Sequence, residues 1–161
     1  MVALYVDGVL VKISKRTGQS VTLNELMEEV GTDAARYFFL MRSLDSQLDF
    51  DLDLAKKKSN DNPVYYIQYA HARIMSIFRQ AEEAGLKLSA KPGLSLLTDA
   101  SEVELIKKIE EYPEEIDRAA SDYAPQRIAR YAYDIAALFH SFYNKCRIMG
   151  TEPQLAEARL A

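Results

Sequence analysis

The chain of 161 residues carries 20 basic and 24 acidic side chains, which gives a formal net charge of −4 at pH 7. This charge argues against nucleic-acid binding that depends on bulk positive charge, but it allows a local basic or aromatic patch. A single cysteine, Cys146, excludes an internal disulfide framework and is typical of a reducing compartment. Because the sequence has no apolar run of membrane-spanning length and no leader pattern, we expect a cytoplasmic protein without membrane contact.

The first predicted element is a β-hairpin. Apolar residues alternate over residues 3–13 around Asp7 and Gly8, and glycine tolerates the positive φ that a tight turn needs. An isolated hairpin is only marginally stable in water. We therefore interpret the hairpin as the end of a sheet whose remainder is absent from this chain.

Helical signals begin after the polar, basic stretch 14–21. Thr22 and Glu25 form a capping-box pair, and Gly31 marks the end of that short helix, so that Thr32 starts the next one. Residues 48–54 alternate between apolar and acidic side chains, a pattern typical of extended backbone. Because this segment stands alone among helices, we interpret it as a connector lying on a surface and not as a strand of a sheet.

The longest helix is predicted to begin with Asn62 as N-cap and Pro63 at the first helical position, and to end at Gly85. Its predicted buried stripe consists of Val64, Ile67, Ala70, Ile74, Ile77, Phe78 and Ala81. Further helices are predicted over residues 101–111, 113–121 and 125–149. The last of these is predicted to bury Ile128, Tyr131, Ile135, Leu138, Phe139, Phe142 and Cys146.

A final segment begins helically at Pro153 and reaches the end of the chain without a capping residue. We expect this cut helix to expose an apolar stripe. Such a stripe is a candidate surface for self-association.

The histidines, the cysteine and the acidic run are interpreted structurally. His71 and His140 lie beside the apolar stripes of their helices, where a histidine is more often packed and hydrogen-bonded than catalytic. Cys146 falls on a stripe and is interpreted as a small buried hydrophobe. The acidic run at positions 45, 49, 51 and 53 lacks the spacing and the glycine of a calcium loop, so we predict no metal site.

Five sequence blocks carry a family resemblance. Residues 12–18 read K-I-S-K-R-T-G, which resembles the K-M-S-K-S signature of class I aminoacyl-tRNA synthetases in the K-M-S-K-R-x-G form typical of arginyl enzymes. Four blocks follow in the family's order: T-L-x-E-L-x-E-E-V-G-x-D-A-A-R-Y-F-F-L from Thr22, L-D-F-D-L-D-L-A from Leu48, N-P-V-Y-Y-I-Q-Y-A-H-A-R from Asn62 and F-H-S-F-Y-N-K-C-R from Phe139. Cysteinyl-tRNA synthetases share the domain type, but the block ending at Arg73 indicates the arginyl family.

The resemblance covers essentially the whole chain and implies its organisation. Residues 1–21 would be the end of a catalytic domain, comprising the hairpin and the signature loop. Residues 22–161 would form a DALR-type anticodon-binding domain, an all-α helical bundle cut at its C-terminus. In the family the final helix and the C-terminus complete the anticodon pocket, so we expect this chain to bind tRNA(Arg) weakly.

The signature loop implies ATP contacts. In the family its lysines contact ATP, and the second lysine helps to stabilise the transition state of amino-acid activation. The matching residues here are Lys12, Ser14 and Lys15, of which Lys15 takes the catalytic role, while Ile13 replaces the usual Met. The nucleotide fold with its H-I-G-H motif and the arginine pocket are absent from the sequence. We therefore predict that the full-length ligase uses Mg-dependent ATP, and that this chain alone binds no cofactor and does not activate arginine.

The anticodon site is predicted on the longest helix. Tyr66, Tyr69 and Arg73 share one helical face, and aromatic rings and guanidinium planes are the groups on which unstacked bases lie. The same positions face the anticodon loop in the family. The alternative is that the tyrosines line the edge of the bundle as ordinary amphipathic core. By the same resemblance, Tyr143, Asn144 and Arg147 are second-tier candidates.

Two other functional classes remain open from the residues. The chain could be a free-standing, non-catalytic tRNA-binding module, or a helical interaction domain with no RNA role. The first leaves the hairpin and the basic loop unexplained. Charging measurements on a full-length enzyme with the three helix residues substituted separate these classes.

Overall fold

The computed structural model describes residues 2–11, 21–43, 45–86, 89 and 91–161. The strands and helices follow one another as β1 (Val2–Val6), β2 (Val9–Leu10), α1 (Leu23–Val30), α2 (Thr32–Leu40), β3 (Leu48–Asp51), α3 (Leu52–Lys56), α4 (Pro63–Glu83), a 3-10 turn (Leu94–Leu96), α5 (Ala100–Glu110), α6 (Tyr112–Ser121), α7 (Gln126–Lys145) and α8 (Pro153–Leu160). The predicted helical fold class is confirmed. Within these described residues, none of the helices combines the length and the apolar character that crossing a membrane requires.

The chain forms two compact units. The first comprises Met1–Tyr66 and Glu115–Tyr131, and the second comprises Ile67–Glu114 and Ala132–Ala161. Helices α4, α6 and α7 therefore contribute residues to both units. The predicted boundary at residue 21 adjoins residues 12–20, which lie outside the described part of the chain, and it stays a prediction.

The N-terminal hairpin is confirmed. Strand β1 pairs antiparallel with β2, with Tyr5 opposite Leu10 and Val6 opposite Val9. Asp7 and Gly8 at the turn have φ angles of 50° and 72°. Positive φ at both central residues is what a two-residue turn needs to match the twist of its strands.

The interpretation of residues 48–54 as a surface connector was wrong. Leu48–Asp51 form β3, which pairs parallel with β1 and completes a three-stranded sheet of order β2-β1-β3. The hairpin is therefore not isolated, because the third strand of its sheet lies within this chain. Alternation identified the extended backbone of Leu48–Asp51, but Leu52 already begins α3, so the prediction was wrong for residues 52–54. Alternation also carries no information about the distant strand that supplies the hydrogen bonds.

Two carboxylates of this acidic segment act as backbone acceptors. Asp51 Oδ1 accepts the amide hydrogen of Leu54 at 2.9 Å and so caps α3. Asp53 Oδ2 accepts the amide hydrogen of Asp7 at 2.5 Å and so ties α3 to the hairpin turn. Asp51 and Asp53 of the alternating segment therefore serve as hydrogen-bond acceptors for backbone amides of the first unit.

The core of the first unit is centred on Phe50. Its side chain is fully buried, and its ring centroid lies 5.3 Å from that of Phe38 and 5.8 Å from that of Phe39. The surrounding buried residues are Leu4, Leu26, Ala34, Phe38, Leu48, Leu52, Ala55 and Val64. The sheet and helices α1 to α3 thus share one apolar cluster.

Local capping chemistry sets the helix ends as predicted. Thr22 and Glu25 form both hydrogen bonds of a capping box, and Gly31 follows with φ of 84°. Asn62 is buried, and its Oδ1 accepts the amide hydrogen of Val64 at 3.0 Å. The Asn62 amide group donates to the carbonyls of Ala55 and Lys57 at 3.0 and 2.9 Å, so one side chain joins two helices.

The predicted apolar stripes are largely confirmed. On α4 the buried members are Val64, Ala70, Ile77 and Ala81, and on α7 they are Tyr131, Phe139, Phe142 and Cys146. The half-buried members are Ile67, Ile74, Ile128, Ile135 and Leu138, and Phe78 is 42% exposed. Helical projection predicts the helix face on which a residue lies. The burial of that residue also depends on how much of the face the neighbouring segments cover.

The expectation that the last helix exposes an apolar stripe was wrong. Ala156, Ala158 and Leu160 of α8 are buried, because α8 packs within the second unit. The Glu157 carboxylate also accepts the amide hydrogen of Ser89 at 2.6 Å. The proposed self-association through this helix loses the exposed surface on which it rested.

We predict that Phe50→Ala lowers the free energy of unfolding by about 3–5 kcal/mol, because it removes a fully buried ring and leaves a cavity. Phe78→Ala is the matched control, since that ring is 42% exposed, and it should cause a much smaller loss. Urea denaturation followed by circular dichroism measures both. Equal losses for the two variants would contradict the assigned core.

Candidate nucleic-acid interface

Arg73 of α4 lies against two tyrosine rings of the second unit. Its Cζ atom is 4.7 Å from the ring centroid of Tyr69 and 4.4 Å from that of Tyr143. Its Nη2 atom also donates a hydrogen bond to the Tyr69 hydroxyl. A cation over an aromatic face is stabilised by about 0.5–1 kcal/mol at an exposed site. The guanidinium group is therefore held by three contacts, and we name Tyr69, Arg73 and Tyr143 the aromatic cluster.

Two helices build the aromatic cluster. Tyr69 and Arg73 are four residues apart on α4, and side chains at that spacing are neighbours on a helix surface. Tyr143 comes from α7, on the turn that also carries buried Phe142. Helical spacing thus supplies one pair, and packing of α7 adds the third member.

Buried rings support the aromatic cluster. The imidazole of His140 stacks on Tyr69, with ring centroids 5.5 Å apart and an angle of 24° between the planes. Phe139 lies 5.8 Å from His140 and 6.0 Å from Tyr143, measured between ring centroids. His140 is 9% exposed, which agrees with its interpretation as a packed residue, whereas His71 is exposed. These contacts restrict the tyrosine rings to defined positions.

The aromatic cluster remains open to solvent. Tyr69 is 38% exposed, and Arg73 and Tyr143 are half-buried. The cluster is thus neither locked inside the core nor spread over separate surfaces. This partial exposure allows a flat ligand to reach the rings and the guanidinium plane.

A cavity of about 170 Å³ adjoins Tyr143. Most of its lining is apolar, with Arg147 and Gln80 as the polar side chains, and Arg147 is exposed. The full lining is Ile77, Gln80, Tyr143, Cys146, Arg147, Ile148 and Met149. One wall is therefore the segment 146–149, which directly follows α7.

The wall segment is fixed at several points. Gly150 adopts φ of 77°, and the Thr151 hydroxyl donates to the carbonyl of Ile148 at 3.0 Å, which turns the chain toward α8. Ser101, at the start of α5, is 2% exposed, and its hydroxyl lies 3.7 Å from the Cys146 sulfur. The N-terminus of α5 thus packs against the end of α7.

A capping box positions that helix N-terminus. Asp99 accepts hydrogen bonds from the amide and the hydroxyl of Ser101 at 2.8 and 2.6 Å, and Glu102 Oε2 accepts the amide hydrogen of Asp99 at 2.9 Å. The hydrogen bonds from the Ser101 hydroxyl and amide hold the pKa of the Asp99 carboxyl below its usual 3.8.

The remaining predicted site residues are not members of the aromatic cluster. Tyr66 is half-buried and belongs to the first unit. Asn144 is exposed on α7 next to Tyr143. The loop residues Lys12, Ser14 and Lys15 lie outside the described residues.

The sequence analysis did not assign Gln80 or His140 to the candidate site. Gln80 lines the cavity and lies seven residues after Arg73, a spacing that returns to the same helical face and could have revealed it. His140 was interpreted as a packed residue, but its stacking on Tyr69 joins residues of two helices. No spacing rule within one helix reveals that contact.

The sequence profile of the DALR anticodon-binding domain matches residues 67–161. The chain belongs to this family. The matched range contains the whole aromatic cluster and the cavity of the DALR domain.

Curated relatives extend the similarity over the rest of the chain. The arginine–tRNA ligase of Carboxydothermus hydrogenoformans is 56% identical over 162 residues, covering 99% of this chain and 29% of that protein. The arginine–tRNA ligase of Shouchella clausii is 59% identical and covers 100% of this chain. The chain therefore spans under a third of the length of these relatives, 29% in both cases.

Solved structures share the fold. A Campylobacter jejuni protein assigned as an arginyl-tRNA synthetase superposes with a TM-score of 0.84 at 33% identity, covering 99% of this chain and 34% of that one. The arginyl-tRNA synthetase of Thermus thermophilus gives a TM-score of 0.69 at 26% identity, covering 91% of this chain and 25% of that one. The chain thus shares its fold with these two proteins.

We predict a pH-dependent contribution of Asp99 to stability. Because its folded pKa is lowered, this contribution is fully present above the unfolded value near 3.8 and is lost as the pH falls through the folded pKa. Asp99→Asn keeps a neutral capping group and removes the titration. The difference in free energy of unfolding between wild type and variant should be constant from about pH 5 to about pH 7, because this range lies above both the folded and the unfolded pKa of Asp99. The difference should shrink in more acidic buffer. A difference that grows on acidification would contradict the assigned hydrogen bonds.

Proposed function

We propose that this chain is the anticodon-recognising portion of an arginine–tRNA ligase, which uses ATP to join arginine to tRNA(Arg) in the cytoplasm. The aromatic cluster carries the proposal, because it holds a guanidinium plane and two phenol rings at a half-exposed surface. The coverage of nearly the whole chain by arginine–tRNA ligases supports it over a free-standing module or an interaction domain.

Stacking suits the recognition of an anticodon loop. Unpaired bases can be splayed out and laid on aromatic rings or arginine planes, and each stacked base contributes about 1–3 kcal/mol. This mode needs few positive charges, so it is compatible with the net charge of −4. The supporting rings of His140 and Phe139 reduce the freedom that the tyrosines would otherwise lose on binding.

Polar groups beside the aromatic cluster would add sequence selectivity. We propose that Asn144 and Arg147, both exposed, donate hydrogen bonds to base edges or phosphates of the loop. Tyr66 is proposed as a further stacking residue on the same helix as Tyr69. These three assignments extend the proposal beyond the aromatic cluster.

The catalytic half of the proposal rests on residues 12–16. Lys12, Ser14 and Lys15 match the ATP-contacting positions of the family signature. Two lysines at this spacing can neutralise charge that develops on phosphate groups during arginine activation with Mg-dependent ATP. We assign Lys15 the transition-state role in the full-length ligase.

We predict that Tyr143→Leu and Arg73→Ala raise the KM for tRNA(Arg) in the full-length ligase. The loss of one stacked base corresponds to about 5- to 150-fold, while kcat at saturating tRNA and the KM for ATP should stay unchanged. Steady-state charging assays with purified tRNA measure these constants.

Tyr133→Leu is the matched control for Tyr143→Leu. Tyr133 lies on the same helix and is 37% exposed, close to the 38% of Tyr69, but it is outside the aromatic cluster. It should leave the KM for tRNA unchanged. Unchanged charging in all three variants would instead support a helical interaction domain.

We also predict that the 161-residue chain alone shows no arginine-dependent exchange of pyrophosphate into ATP. The reason is that it corresponds to 29% of the ligases it matches, and its family match is to the anticodon-binding domain. Exchange assays with and without arginine test this, with a full-length ligase as positive control. Arginine-dependent exchange above background would contradict the prediction that this chain alone does not activate arginine.

A further inference from the structure

Arg159 of α8 connects three parts of the second unit. Its Nε atom donates to Glu102 Oε1 at 2.6 Å, and its Nη1 atom donates to the carbonyl oxygen of Arg147 at 2.5 Å. The side chains of Arg159 and Glu102 are 12% and 2% exposed. A mostly buried arginine thus joins the start of α5 to the segment that follows α7.

The geometry points to Arg159 as a positioning residue of the RNA-binding surface, and this inference rests on the proposed function. The carbonyl that Arg159 holds belongs to Arg147, whose side chain is exposed beside the cavity next to Tyr143. We propose that Arg159 fixes the backbone at Arg147, so that the Arg147 side chain projects toward the RNA from a defined point.

Glu102 sets the direction of Arg159. Both carboxylate oxygens of Glu102 accept hydrogen bonds. Oε2 accepts the amide hydrogen of Asp99, and Oε1 accepts from Nε of Arg159. A carboxylate in a capping box cannot swing with its partner, because the first turn of α5 holds it. The planar guanidinium donates in fixed directions, so anchoring one edge aims the other edge at the Arg147 carbonyl.

This arrangement has a use beyond stability. Arg147 follows α7, where the backbone is no longer held by the helix, and Gly150 begins the turn just beyond it. A long side chain projecting from such a segment would sample many positions. The hydrogen bond from Arg159 to its carbonyl lowers this freedom before RNA binds, which strengthens binding without any direct contact.

Arg159→Lys tests the proposal in the full-length ligase. Lysine keeps the positive charge beside Glu102, but its single ammonium group does not reproduce the two directed donations. The expected result is a rise of about tenfold in the KM for tRNA(Arg), comparable to the loss of one charge-assisted hydrogen bond, with kcat and the KM for arginine unchanged. An unchanged KM for tRNA would overturn the proposal, even if the melting temperature fell.

A control variant on the same helix separates positioning from stability. Glu157→Ala removes the hydrogen bond from Ser89 that ties α8 to the residues between α4 and α5, but it does not remove the hydrogen bond to Arg147. It should lower the melting temperature and leave the KM for tRNA at the wild-type value. If both variants change the KM in proportion to their loss of melting temperature, Arg159 acts only through stability and the proposal fails.

A double-mutant cycle with Arg147→Ala identifies the route. If Arg159 acts by placing the Arg147 side chain, Arg159→Lys should have little further effect on kcat/KM for tRNA once that side chain is gone. Additive effects would overturn the proposal while leaving the proposed function intact. The proposed function fails separately, if Arg73→Ala and Tyr143→Leu both leave the KM for tRNA unchanged.

Discussion

The guanidinium group of Arg73 is held against the rings of Tyr69 and Tyr143, and the proposed interface depends on this cation–π contact. A free arginine side chain on a helix surface has several rotatable bonds, and ordering it during binding costs free energy. Here two rings and one hydrogen bond restrict it in advance. The aromatic cluster is therefore ordered before binding and remains half-exposed. Its ring faces and guanidinium plane suit the stacking of flat bases better than the binding of a phosphate backbone through bulk positive charge.

The aromatic cluster and the segment beside it depend on a second set of contacts. His140 and Phe139 fix the rings through stacking and edge contacts, whereas Asp99, Ser101 and Glu102 fix the chain after α7 through hydrogen bonds. The two sets have different physical roles. The aromatic cluster and Arg147 can contribute binding energy directly, while the second set determines where their side chains lie. A substitution in the second set should therefore weaken the proposed recognition without removing any group proposed to contact RNA.

The acidic character of the chain is compatible with this function because acidic side chains serve the fold at several places. Asp51 caps α3, Asp53 accepts the amide hydrogen of the hairpin turn, and Glu25 closes a capping box. Carboxylates near helix N-termini interact favourably with the helix dipole. Part of the negative charge is thereby explained by local structure, and Arg73 and Arg147 supply positive charge at the proposed RNA surface.

The sequence by itself determined the elements whose cause is local. The hairpin turn at Asp7 and Gly8, the ends of α1 and α4, and the adjacency of Tyr69 and Arg73 all follow from chemistry within a few residues. Only the tertiary structure decided which distant segments meet. It paired β3 with β1, buried the apolar residues of α8, brought Tyr143 to Arg73 and placed Arg159 against Arg147. Periodicity specifies which face of an element is apolar or polar, but the partner of that face is set by packing of segments far apart in the chain.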